Sequence, residues 1–531
     1  MRTKIKTSLI LVLCLLSFYG CDKNFEDINK NPNSSDASPT TFIFTYATRQ
    51  FAYFYYDSWY SGRQSAVACQ QWAQNNYTAE DRYQFRDNVM DGFFRNSYIW
   101  MMNFEKIKEL NSSAITAGDM SAYGDNKMQI ATADIMEVWV FQLLTDSFGD
   151  IPYSQAFDPI KYPTPKYDKQ SDIYKDLIAR LKKASADLKA SSKGWTSGDI
   201  IYGGDIDKWI KFANSLRLRI AVRASKVDAS YIGEAKNAIA EGVFTSNDDN
   251  AVFNFIGAGS PNEAPIYSSY FVDNRNDFTL TKQFVGLMNG VDDPLKGFLN
   301  PFKGIEDPRL SIFRGPLMGK NSVGVPYGMD DTQTQAFVSL NQESVVNFQP
   351  DAKDVKKSPI NLQASWGSVL LDYPTVCFMI SEVETFSSDW FFKGIDASLS
   401  MWGVDATLST NYVNAVKLKW DAADNIKKSE LLATEKYIHL YTQFYEAWAE
   451  YRRTGYPKSI IKPGEVTHVE AGSNVVFTPI GGFESGSDIV ARFKYAVSEY
   501  TLNKANVKAA AASIGGDNLS TRVWWAGGGK Q

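Results

Sequence analysis

Between residues 42 and 245 the chain repeats one pattern: apolar side chains at spacings of three and four, then a short polar break. Helices of this kind bury an apolar stripe only by stacking on neighbours. The expected fold is therefore mainly α, a right-handed tetratricopeptide-like stack of paired helices, although no exact repeat is visible. Thr40 or Thr41 is placed to cap a first helix reaching about Tyr56, and an aromatic-rich segment runs on to Trp72. Further helices are expected over 91–110, 126–144, 172–189 and 231–241. Another follows Asp205 or Asp207 and buries Trp209, Phe212, Leu216 and Ile220.

From 246 to 365 Gly, Pro, Asn and Asp accumulate, with one clear helix near 279–288. An insertion of that size on a rigid scaffold is where ligand-binding residues are expected. Helical patterns return over 366–531, notably at 389–402, 407–421, 430–453 and 490–507. Residues 42–531 thus read as one domain, with helical repeats (42–245), a loop-rich ligand-face insertion (246–365) and C-terminal helices (366–531).

The stretch 430–457 carries the strongest single pattern. Tyr437, Tyr441, Phe444, Trp448 and Tyr451 share one helical face, and His439, Glu446 and Glu450 line the opposite one. The second row admits either metal or acid–base chemistry, or the solvated side of a scaffold helix. The chain holds only two histidines, His439 and His468, so a zinc site lacks ligands. The scaffold reading expects a buried aromatic stripe, local pairing of Glu446, Glu450, Arg452 and Arg453, and a His439 replaceable at little cost.

Other chemistry finds no more support. The chain has no phosphate loop, dinucleotide glycine fingerprint, HExxH motif or nucleophile elbow. Acid pairs at Asp292-Asp293, Asp330-Asp331 and Glu382/Glu384 keep a secreted glycosidase as an alternative, because such enzymes need two converging carboxyls. The loop at Asp292-Asp293-Pro294 lacks the ligand spacing of a calcium hand. A net charge of −5 without a basic run argues against nucleic acid. No catalytic residue, metal or cofactor is expected.

At the N-terminus Arg2, Lys4 and Lys6 precede an apolar run over 9–16, closed by Gly20-Cys21. Residues 1–20 read as a secretory leader, too short to span a membrane. A small residue followed by Cys resembles a bacterial lipobox, which makes Cys21 a lipid anchor. Residues 21–41 form a polar tether. Cys69 and Cys377 lie in apolar helical contexts and are read as buried thiols.

Aromatics set among polar, non-helical residues are the best ligand candidates: Trp72, Asn75, Tyr77, Arg82 and Tyr83, then Tyr267 and Tyr270 beside 274–277, and Trp366. Sugar rings offer apolar C–H faces and hydroxyl rims. Ring platforms flanked by amides and a guanidinium suit both.

Six runs carry a family resemblance: LLTDSFGDIPYSQAF (143–157), WIKFANSLRLRIAVR (209–223), GIDASLSMWGV (394–404), EAWAEYRRTGYP (446–457), RFKYAVSEYTLNKANV (492–507) and GGDNLSTRVWW (515–525). Together they resemble the SusD/RagB-like outer-membrane lipoproteins of Bacteroidetes, and Asp22, Glu26 and Asp27 resemble the export signal of such proteins. Ala496 and Thr375 depart from the family pattern, within scaffold segments. The resemblance also points to the scaffold reading of 430–457. It implies a non-catalytic, surface-exposed protein, held to the outer membrane by lipid, that captures a glycan and delivers it to a SusC-like TonB-dependent transporter. An assembly subunit of that transporter which binds no sugar is the alternative.

Overall fold

A computed structural model describes residues 38–315, 321–342, 344–348, 358–480 and 489–528. The leader, Cys21 and most of the tether lie outside the described residues. Six helices, α1 (Thr40–Tyr55), α2 (Asp87–Ser112), α3 (Asn126–Phe148), α4 (Gln170–Lys189), α5 (Ile206–Ala224) and α6 (Tyr231–Ala240), follow one another, each packed on its predecessor. α4 buries Ile173, Leu177, Leu181 and Leu188 on one stripe, and α5 buries the four residues expected of it. α3 is buried almost all round, as the middle of a stack must be. The mainly helical class read from the sequence is the observed one.

Several local expectations are corrected. Pro39 occupies the N-cap of α1, and neither threonine caps it. The cap of α5 is as expected: of the two acids offered it is Asp205, accepting from the Lys208 amide at 3.1 Å. The segment after α1 is a π-helix, Ser58–Ala66, opened by Asp57, which accepts from the Tyr60 and Ser61 amides. The helix expected over 490–507 begins only at Glu499, because amides of Ala491, Phe493 and Tyr495 donate instead to Leu519, Ser147 and Asp517.

In the insertion, α7 (Lys282–Met288) was expected and α8 (Asp331–Leu340) was not. Asp330 and Gln333 form a reciprocal cap on α8, the D-x-x-Q counterpart of a capping box. Of the four antiparallel strand pairs among the described residues, two concern the site: β1 (Trp72–Gln74) with β3 (Phe278–Leu280), and β2 (Ala251–Phe253) with β4 (Ser368–Leu371). The C-terminal part supplies α9 (Tyr373–Val383), α10 (Ser388–Met401), α11 (Ala406–Asp421), α12 (Asn425–His439) and α13 (Phe444–Thr454).

The stretch 430–457 is thus two helices, broken at residues 440–443, where Thr442 takes φ +75°. All five stripe aromatics are buried, but so is the row expected to face solvent. Glu446 reaches Arg219 and Arg223 on α5, and Glu450 pairs with Lys436 and Arg453. Only the Glu450–Arg453 pair is local. Arg452 instead donates to the carbonyls of Asp146 and Ala491 and lies over Trp448.

Candidate functional site

The ladder between β1 and β3 runs Trp72↔Leu280, Ala73↔Thr279 and Gln74↔Phe278, and continues as the Asn75 amide donates to Asp277 O at 2.7 Å. This register sets residues 75–77 against 274–277 across more than 190 residues of sequence separation. α8 closes the third side. Asp331 accepts from the Thr78 amide at 2.8 Å, and Gln335 donates to Asn75 O and Asn76 Oδ1, both at 2.9 Å.

The result is a cleft of about 710 Å³ lined by seven carboxamides, Asn75, Asn76, Asn274, Asn276, Gln335, Gln342 and Asn347, with Tyr77, Arg275 and Asp277. Asn276 donates to Asn347 at 2.9 Å. Asn75 Oδ1 and Asn276 Oδ1 are buried and accept no hydrogen bond among the described residues. A buried acceptor without a donor is unfavourable, so these two atoms call for donors from a ligand or water. Tyr77 and Asn274 both hold left-handed backbone, φ +59° and +54°, a conformation costly for tyrosine and concentrated at functional sites.

Charge at the cleft is balanced internally. Asp277 takes Arg275 at 2.7 Å and Arg63 at 3.1 Å. Arg275 lies 5.9 Å from the Tyr77 ring and Arg63 5.4 Å from the Trp59 ring. Trp59 and Tyr77, 41% and 56% exposed, are therefore joined through an Arg63–Asp277–Arg275 chain. The hydrogen bond to Asp277 raises the Arg275 pKa, whereas burial lowers that of Arg63 against the pull of Glu80. Gly62 allows the approach of Phe278, whose ring would stand 3.1 Å from a β-carbon there.

The residues named from the sequence divide. Asn75 and Tyr77 line the cleft, joined by the 274–277 run noted beside them. Trp72 is wholly buried among Phe278, Phe348 and Phe444, with its indole donating to Tyr441 at 3.1 Å. It is core, as apolar packing at a strand start dictates. Tyr83 packs edge-on against Phe477, and Tyr270 donates to Phe278 O, both buried. Arg82 is half-buried, its carbonyl accepting from Ile480, away from the cleft. Tyr267 and Trp366 pack on a small separate cluster of Ala52, Phe253, Phe255 and Ala264. The sequence reading does not name Gln335, Gln342 and Asn347, which line the cleft, or Trp59, which reaches it only through Arg63. The only sequence signal for Trp59 is its place just after the Asp57 cap, off the buried spacing.

At least one acid of each pair has a structural partner. Both oxygens of Glu382 are held by Arg453 at 2.6 Å, Asp330 caps α8, and Asp292 accepts from the Asn300 amide and Lys303. Cys69 and Cys377 are free and buried.

A family model described as "Starch-binding associating with outer membrane" (SusD-like) matches residues 32–470. The chain belongs to the SusD-like family. Solved SusD homologues share its fold throughout. A chitin-binding one from Flavobacterium johnsoniae is 22% identical, with TM-score 0.70 over 92% of this chain and 98% of its own. One from Parabacteroides distasonis is 20% identical, with TM-score 0.73 over 93% and 99%. A structure titled chitin-binding protein is 24% identical, with TM-score 0.68 over 92% and 99%. No curated protein matches the chain. Among the described residues no helix is long and apolar enough to cross a membrane.

Proposed function

We propose that this SusD-like protein captures an oligo- or polysaccharide in the carboxamide cleft and passes it to a TonB-dependent transporter at the cell surface, held there by lipid on Cys21. The observation that carries the reading is an exposed aromatic residue of the cleft, Tyr77, set among carboxamides that hold unsatisfied acceptors, with the exposed Trp59 joined to it through the Arg63–Asp277–Arg275 chain. Hydroxyl groups supply the donors those acceptors lack, and C–H faces of pyranose rings suit the aromatics. Residues 246–365 act in this reading as the ligand-face insertion of a single domain spanning 42–531. Two structural relatives are chitin-binding and the family is described as starch-binding, and both agree with a glycan ligand.

The reading is binding rather than catalysis, since among the acids singled out from the sequence Glu382 is held by Arg453, Asp330 by the cap of α8, Asp331 by the Thr78 amide and Asp292 by Lys303. Affinity electrophoresis against starch, chitin and other polysaccharides tests this. Retardation that weakens on Tyr77→Ala and Trp59→Ala, without release of reducing ends, is the expected result. Steady release of reducing ends, or retardation indifferent to both changes, overturns it.

A further inference from the structure

A second cleft, about 670 Å³, opens at the other end of the insertion, where β2 meets β4. We infer that it is a second saccharide-binding site, so that one long glycan is held at two places on this chain. The inference rests on the glycan reading of the first cleft.

Its floor is prepared for a flat ligand. Trp366 lies on Trp402 with centroids 5.1 Å apart and planes 20° from parallel, so the ring behind fixes its orientation. The indole N–H groups of both are buried and have no acceptor among the described residues. Gly367 permits this construction: a β-carbon there would stand 2.5 Å from Val252 and 2.8 Å from the Asn254 carboxamide. Without it the strands close and Asn254 reaches the cleft.

Polar capacity lies beside the rings. Asn250 accepts from the Tyr373 amide at 2.7 Å, while its Nδ2 has only long contacts, 3.4 Å to Asn247 and 3.9 Å to Met401. That amide retains a donor for a ligand oxygen. Ile360, 47% exposed, adds apolar surface at the edge. The mixture of ring, carboxamide and aliphatic edge repeats that of the first cleft in size and chemistry. One segment serves both: it leaves β2 through Asn254, passes Tyr267 and Tyr270, and arrives at Asn274–Asp277. Two weak sites on one rigid body raise the apparent affinity for a long chain well above that for a short one.

The test is calorimetric titration of the full chain with hexasaccharides of starch, chitin and β-glucan type, alongside affinity gels with the matching polymers. Ser365→Trp fills the second cleft from an exposed position, and Asn254→Ala, also exposed, removes a polar contact. We expect two hexasaccharides per wild-type chain, one in Ser365→Trp, and polymer retardation weakened at least tenfold in both variants with unchanged melting. A stoichiometry of one that Tyr77→Ala abolishes overturns this inference and leaves the first cleft standing. Binding abolished by Ser365→Trp but indifferent to Tyr77→Ala overturns the first cleft, and with it the holding of one glycan at two places. No heat with any sugar overturns both.

Discussion

His439 Nε2 stands 2.9 Å from Asp372 Oδ2, and both side chains are sealed from solvent. Ser398 Oγ lies 2.9 Å from the other ring nitrogen. The three residue types are those of a hydrolytic triad, but the two ring nitrogens are exchanged, Arg309 donates to the serine at 2.8 Å and no substrate can reach it. The arrangement joins α9, α10 and α12. Removing a hydrogen-bond partner of the buried Asp372 carboxylate leaves that charge less compensated. His439→Ala is expected to lower stability by about 3–5 kcal/mol, measured by denaturant unfolding, with ligand affinity of the folded protein unchanged. A loss below about 0.5 kcal/mol, the surface value, refutes it.

Trp72 and Trp59 should exchange the roles that their neighbourhoods in sequence suggest. Trp72→Ala opens a core cavity and is expected to cost about 3–5 kcal/mol, as is Trp448→Ala, whose indole donates to Val490 O at 2.7 Å and stacks on Phe493. Trp59→Ala removes a 41% exposed ring and should leave the melting temperature almost unmoved while weakening polysaccharide retardation. Paired unfolding and affinity-gel measurements separate the two effects.

At Tyr77 binding and stability are opposed. Its φ of +59° suits glycine. Tyr77→Gly relieves a left-handed backbone costing about 1–2 kcal/mol for a side-chain-bearing residue, so the variant should be at least as stable as the parent, yet bind glycan more weakly. A marked fall in unfolding free energy refutes this.

Stability should peak on the acid side of neutrality. Burial pushes the Glu446 and Glu450 carboxyls up, but Arg219 and Arg223 for the first, and Arg453 and Lys436 for the second, outweigh it and hold both below the usual range. Burial likewise loses to His439 at Asp372. Their contribution is complete above about pH 4–5 and is lost below it. Burial wins at Asp57, pushed up to about 7, and at Glu137, pushed up to about 8 despite Lys108 and Arg180. Folded protein keeps those protons while the unfolded chain releases them near pH 4, so stability declines as pH rises from about 4 to 8. Melting curves should show this alkaline limb, flattened in Asp57→Asn and Glu137→Gln.

The helix stack was legible because its cause is local: periodic apolar spacing survives in one dimension. Asn75 and Tyr77 were legible for a related reason, as polar residues breaking that spacing. Trp72 was misjudged because a strand of three residues gives no readable period, and its burial depends on Phe278 and Phe444, remote in sequence. His439 was misjudged because its partner Asp372 lies 67 residues away. The break at 440–443 hides within an unbroken aromatic spacing, and Trp366 gave no sign that it belonged to a different cleft from Tyr77.

Trp72, fully enclosed, and Tyr77, more than half exposed, are five residues apart on one short run of chain. What fastens that run and what would touch a ligand are thus different side chains. Drift at Tyr77 or Gln342 leaves the fastening intact, so under the proposed function a lineage could exchange one sugar for another through a few outward substitutions. The same division makes the cleft a place where a designer could graft new recognition without refolding the scaffold.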